Sequence, residues 1–367
     1  MPLHLYWFLP SHGDGREVGK TATDQGRART IRRAPDIDYL AQVAQAADTL
    51  GFTGMLVPTG LFCEDPWVVS AALAARTRRV KFMIALRSGL TSPLLTAQMA
   101  ATFQRVSGDR LVFNIVAGGD ADEQRRYGDW LAHDDRYART AEFLTVLRGL
   151  WQGGPVDFDG DHYRLKAGLL TRPATMPQIH LGGSSAAARR VAAEHADVYL
   201  AWGEPPPQLG ELMTDFRRQS DATGRDVRLG TRFHVISRDT AEEAWETANR
   251  LIEGMDPALI AQAQERFRRT ESEGQRRASA LHGGRTDDLE IYPNVWAGYG
   301  LVRPGAGIAL VGSHEEVADR IAEYHKSGID HLILSGQPHL EEAYWFGEGV
   351  MPLLRARGLL EETSAGS

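Results

Sequence analysis

The chain has 367 residues, of which 43% are apolar and 24% charged. That composition supports a large buried core and excludes a disordered or collagen-like chain, while a net charge of −7 excludes the broad basic surface that duplex nucleic acid needs. One cysteine, Cys63, excludes an internal disulfide and a multi-thiolate zinc site.

Short apolar runs alternate with helical patterns from end to end. Strands are predicted over 3–9, 53–58, 80–86, 111–116, 178–182, 197–202, 229–237 and 330–335. After the first of these, Tyr39, Leu40, Val43, Ala44, Ala47 and Leu50 trace one apolar stripe behind Asp36, a predicted N-cap. Towards the other end, Ser313 and Glu316 form a capping box for a helix carrying Val317, Ile321 and Tyr324, which Gly328 can terminate. Eight strand–helix repeats predict a (β/α)8 TIM barrel, one domain over 1–367. Neither GxGxxG nor GxxxxGK[ST] occurs to favour a doubly wound nucleotide fold.

Three connections, 11–34, 153–167 and 240–312, exceed the roughly 2–6 residues a βα turn takes. The first and last project over the C-terminal face, where barrels keep their chemistry. Residues 241–269 read as a helical insertion and 270–312 as a Gly- and Arg-rich lid. The tail from about 361 is polar and expected to fray. The apolar start lacks a basic n-region, and no run reaches the roughly 18 apolar residues of a membrane span, so the expected location is cytoplasmic and reducing.

Several positions carry possible chemistry. Period-2 geometry puts Arg232 and His234 on one face of the seventh strand, inside an apolar run. A buried arginine needs a carboxylate or an anionic ligand, so the alternatives are a core ion pair and a binding site. Arg303, in the glycine-rich segment 300–307, could swing its planar fork over an anion or be a solvated loop charge. Gly182, Gly183, Ser184 and Ser185 follow the fifth strand and open a helix, which makes a phosphate cradle or a plain N-cap. His133, Asp134, Asp135, Arg136 and Tyr137 precede a helix predicted over 138–152; capping suits the His and Asp residues better than metal chelation, and no metal is expected. Tyr137 could donate to a phosphate. Asn114, Trp202 and His12 sit at strand ends, and Cys63 has no adjacent base to make it a nucleophile, so packing is its better reading.

Segments 7–15 (WFLPSHGDG), 58–67 (PTGxxCEDPW), 113–120 (FNIVAGGD), 133–137 (HDDRY), 181–185 (LGGSS), 199–206 (YLAWGEPP), 231–235 (TRFHV), 294–307 (NVWAGYGLVRPGAG) and 334–344 (LSGQPHLEEAY) together resemble the alkanesulfonate monooxygenases of the bacterial-luciferase-like barrel family. The resemblance runs in order from about 4 to 355. It implies a two-component system in which a separate NAD(P)H-dependent flavin reductase supplies reduced FMN. The chain would then use O2 to oxygenate an organosulfonate, releasing an aldehyde and sulfite. By the same resemblance Arg232 and Arg303 hold the sulfonate and the charge on the oxygenated flavin, and His234 is an acid/base or orienting group. His12, Cys63 and Trp202 line the pocket, and Asn114, Tyr137, Gly183, Ser184 and Ser185 contact the flavin. Dimers or tetramers are usual in such families. The chain departs from the family pattern at Gln337, where tyrosine is common, at Leu61 and Phe62, where Arg-Ser is common, and at Ala117, where threonine is usual. These departures leave room for another organosulfur substrate such as a sulfone, and a sister chemistry would use a deazaflavin.

Overall fold

The computed structural model describes residues 1–16, 18, 33–253 and 255–361. Its strands are β1 (His4–Phe8), β2 (Gly54–Val57), β3 (Lys81–Leu86), β4 (Leu111–Ile115), β5 (Val156–Asp159), β6 (Arg164–Gly168), β7 (Gln178–Gly182), β8 (Val198–Trp202), β9 (Arg228–Arg238), β10 (Glu290–Tyr292), β11 (Val295–Trp296), β12 (Ala309–Ser313) and β13 (Ile329–Ser335). The helices are α1 (Ile37–Leu50), α2 (Pro66–Ala74), α3 (Pro93–Ser107), α4 (Ala121–Arg126), α5 (His133–Trp151), α6 (Ala186–His195), α7 (Pro206–Ala222), α8 (Ala241–Ile252), α9 (Pro257–Arg268), α10 (Glu273–His282), α11 (His314–Lys326), α12 (His339–Tyr344) and α13 (Met351–Ala356).

Parallel pairing runs β1-β2-β3-β4-β7-β8-β9-β13 and returns from β13 to β1, closing an eight-stranded (β/α)8 barrel. Alternation along each strand divides the core in two. In β1, Tyr6 and Phe8 join Leu56, Met83, Val112, Val198, Leu200 and Ile333 inside the barrel. Leu5 and Trp7 face the other way, into the larger core shared with the helices. Local signals set the helix ends. Asp36 accepts from Asp38 N and Tyr39 N at the start of α1, and Gly51 ends it in the left-handed region. The capping box of Ser313 and Glu316 starts α11 as its spacing predicts.

The predicted strands coincide with those of the barrel to within about two residues, but the long connections carry more structure than their sequence suggests. Segment 153–167 folds into the antiparallel β5–β6 hairpin. Strand β9 is long enough to serve two sheets. Its first part pairs with β8 and β13, and its last part, His234 to Arg238, pairs with β12. The insertion packs onto that extension through a core of its own, in which Ala244, Ala248, Ile260, Trp296, Tyr299, Leu301 and Val311 are buried. Helix α5 begins at His133, earlier than predicted, and its N-cap, Ala132, makes no side-chain capping bond. His133 and Asp134 bond each other instead, and Asp134 and Asp135 favour the helix through its positive end. Most of 11–34 lies outside the described residues; at its ends Asp14 and Arg33 form a backbone bridge. The tail beyond Glu361 is likewise outside them. Among the described residues no helix is long and apolar enough to cross a membrane.

Candidate active site

The C-terminal ends of the strands surround a cavity whose floor is apolar: Leu56, Ala85, Ile115, Leu200 and Ile333. Asn114 projects from the end of β4 and fronts this space, with no hydrogen bond from its amide to a described residue. On one side the wall is Gly182, Gly183, Ser184 and Ser185, with His133 and Tyr137 from the first turns of α5. Gly183 has φ +145°, and a Cβ there would lie 2.6 Å from Ala188 Cβ and 2.7 Å from the Tyr137 hydroxyl. Glycine is therefore required where the chain turns into α6. Ser185 caps α6 by accepting from Ala188 N at 3.2 Å, so backbone N–H groups, hydroxyls and a helix dipole converge on one corner suited to phosphate. Burial pushes the Tyr137 phenol up to about 12, with a hydrogen bond to Ser185 acting the other way, which leaves it a donor at neutral pH. Ser272, Glu273 and Gly274, at the start of α10, complete the wall from above. Gly274 permits that approach, because a Cβ there would come within 3.1 Å of the Trp202 ring.

Arg232 enters the same cavity from β9, level with Trp202 of β8 and Ile333 of β13. The side chain is partly buried, its Nε is buried and meets no acceptor among the described residues, and its charge lies 4.4 Å from the Phe8 ring. Burial, and then the neighbouring Arg303, pull its pKa down to about 9. No carboxylate among the described residues offsets that desolvation. Arg303 donates from Nη1 to Gln337 Oε1 at 2.9 Å and lies over the Tyr299 ring. It too is partly buried, and desolvation lowers it, with Tyr299 and Asp14 acting the other way. His12 stands near both arginines; burial and Arg303 hold its imidazole near pKa 3, so it is neutral.

His234 stacks on Tyr299 at 4.1 Å, with Nε2 3.1 Å from the Ala306 carbonyl and Nδ1 2.9 Å from the Ser335 hydroxyl. Since a carbonyl only accepts, Nε2 carries the hydrogen and Nδ1 accepts from Ser335. Burial followed by Arg303 and Arg232 keeps this imidazole neutral. Both nitrogens are thereby engaged in tying the Arg303 loop to the barrel.

Of the residues singled out from sequence, Arg232, Trp202, Asn114, Tyr137, Gly183, Ser184 and Ser185 line one cavity. Arg303, His12 and His234 group beside Arg232 without lining it. Cys63 does not line it: it is half-buried on the β2–α2 loop, its thiol raised to about 11 by burial against a bond from Ser11. Leu61 and Phe62, before it, are exposed. Sequence reasoning missed Asp14 and His339, buried together 325 residues apart, where the Asp14 carboxylate accepts from His339 N at 2.8 Å and Nδ1 at 3.0 Å. It also missed Ser272 to Gly274, which nothing local marks as part of a cavity.

The sequence model of the luciferase-like monooxygenases matches residues 3–331. The chain belongs to the luciferase-like monooxygenase family. Solved structures of like fold include a riboflavin lyase with modified FMN and riboflavin (TM-score 0.83, 21% identity, covering 100% of this chain and 94% of that one). An EDTA monooxygenase from Chelativorans sp. BNC1 superposes with TM-score 0.76 at 20% identity, over 100% of this chain and 97% of its own. DmoA from Hyphomicrobium sulfonivorans gives 0.79 at 18%, over 100% and 90%. At these identities the likeness is one of fold.

Proposed function

We propose that this luciferase-like chain is a monooxygenase that takes reduced FMN from a separate NAD(P)H-dependent reductase and cleaves the C–S bond of an organosulfonate. The residues fit FMN. The Gly183–Ser185 corner with Tyr137 suits its phosphate, the apolar floor suits a flat ring, and the amide of Asn114 suits the ring's polar edge. Bound reduced flavin supplies the two electrons needed to split O2, so that one oxygen atom ends on the carbon as an aldehyde, the other as water, and sulfite leaves.

The observation that carries the substrate class is Arg232, a partly buried cation with no acceptor among the described residues, beside a second partly buried guanidinium. An anionic head group supplies the missing counter-charge, whereas a neutral sulfone leaves both cations uncompensated. Planar guanidinium forks match sulfonate oxygens, and their charge stabilises negative charge developing on oxygen in a water-excluded site. His234 then acts by holding the Arg303 loop in place.

The test is sulfite release from a panel of alkyl and aryl sulfonates and sulfones, with reduced FMN supplied by a flavin reductase. Sulfite from sulfonates, and none from sulfones, supports the reading; silence across the sulfonates overturns the substrate class. Binding of reduced deazaflavin in preference to reduced FMN would overturn the cofactor.

A further inference from the structure

Helix α10 roofs the cavity, its first turn contributing Glu273 and Gly274 to the lining, and an ion pair ties it to the barrel rim. Arg277, on α10, donates from Nε and Nη2 to the two carboxylate oxygens of Glu204, each at 2.6 Å. Glu204 lies two residues after Trp202, is 5% exposed, and has its backbone carbonyl fixed by the Tyr324 hydroxyl at 2.7 Å. The Glu204 hydrogen bonds raise the Arg277 guanidinium above its ordinary range. Just ahead of α10, Arg136 of α5 donates to Glu271 at 2.9 Å, and Thr270 donates to the Gly119 carbonyl at 3.1 Å. The same helix reaches the second half of the site, because Gln275 accepts from Gly305 N at 2.9 Å, two residues from Arg303.

We infer that the Glu204–Arg277 pair is the latch that positions α10, and through Gln275 the Arg303 loop, so that flavin retention and placement of Arg303 are set together. This rests on the flavin reading above. The physical basis is an asymmetry. In this bidentate pair the carboxylate is buried and the guanidinium half-buried, so when Arg277 is lost, closing the roof buries a bare carboxylate. Both residues are positioning residues: Glu204 and Arg277 do not line the cavity.

The experiment uses the full chain with Glu204→Gln, Arg277→Gln, the double variant and Arg277→Lys, since Arg277 is partly exposed and Gln preserves the volume of Glu204. Hydrogen exchange without flavin is read over 273–282 against the barrel strands, and FMN dissociation is followed by fluorescence. The latch predicts exchange over α10 at least about tenfold faster in each Gln variant, with strand amides unchanged. It predicts FMN release faster by about tenfold, more for Arg277→Gln than for Glu204→Gln, with partial recovery in Arg277→Lys. The double variant should be no worse than Arg277→Gln, as coupled partners are non-additive. Unchanged α10 exchange, or effects that multiply in the double variant, overturns the latch. If the unaltered protein binds no FMN, the flavin reading fails, while the exchange result still decides the latch.

Discussion

Arg232 sets the terms at the scale of single residues. Its side chain is partly buried, and among the described residues the Phe8 ring faces its charge and no carboxylate offsets it, so the ligand-free protein bears a desolvation cost that an anionic ligand offsets. Arg232→Met should therefore raise the melting temperature of the ligand-free protein while lowering kcat/KM on an anionic substrate by roughly 10²–10³, the scale of losing one preorganised charge donor. Differential scanning calorimetry and steady-state assays check the two halves; a lower melting temperature would mean that Arg232 is a structural ion-pair member. A second prediction concerns the other end of the barrel interior. There His4 and His180 lie 4.5 and 5.2 Å from the His331 ring, with Tyr6 against the last two. Asp330 is bonded to His331 and shared with Arg228, and Lys81 adds like charge. Burial and then the His331 charge lower His4 to about 4 and His180 well below its ordinary 6.5. Unfolded imidazoles take up protons below about pH 6.5 and these folded ones do not, so the unfolded state binds more protons and stability falls as pH drops from 6.5 to 4. Urea melts at pH 7 and pH 5 should show this loss, and His180→Gln should flatten it.

At the scale of elements, the turn from β7 into α6 has the least tolerance. Gly183→Ala drives a Cβ into Ala188 and the Tyr137 hydroxyl, so FMN affinity measured by fluorescence quenching should fall by more than about tenfold, with Ser185→Ala milder because it removes a single cap worth about 1 kcal/mol. Which elements could be read beforehand follows from how local their causes are. The barrel strands are short apolar runs bounded by turn residues, and α1 and α11 carry their own caps, so each is legible within a window of ten residues. Strands β10, β11 and β12 are not, because they are three, two and five residues long and exist only through pairing with one another and with the end of β9. The same holds within the site. Gly183 to Ser185 announce themselves because a glycine turn and a capping serine are adjacent, and Arg232 because a charge interrupts a strand. Glu204 and Arg277 are 73 residues apart, and nothing near either names the other.

Across the whole molecule, the barrel supplies a rigid ring of strand ends, and the insertion supplies the roof and the second guanidinium. Extension of β9 beyond the barrel joins the two, since the strand that carries Arg232 also pairs with β12 and so anchors the segment bearing Arg303. On the proposed function, flavin and substrate are enclosed by one body. Charge balance is the thread: among the described residues Asp14 is bonded to His339 and Glu342 to Arg238, and neither bonds the guanidinium groups of Arg232 and Arg303, which on the proposed function meet the charge of the substrate. The most direct measurement is a single turnover in which the chain, loaded anaerobically with reduced FMN and an alkyl sulfonate, is mixed with oxygenated buffer. The account predicts sulfite and aldehyde in amounts matching the flavin oxidised, with both products lost in Arg232→Ala. Flavin oxidation that yields only hydrogen peroxide, for every sulfonate tried, would contradict it.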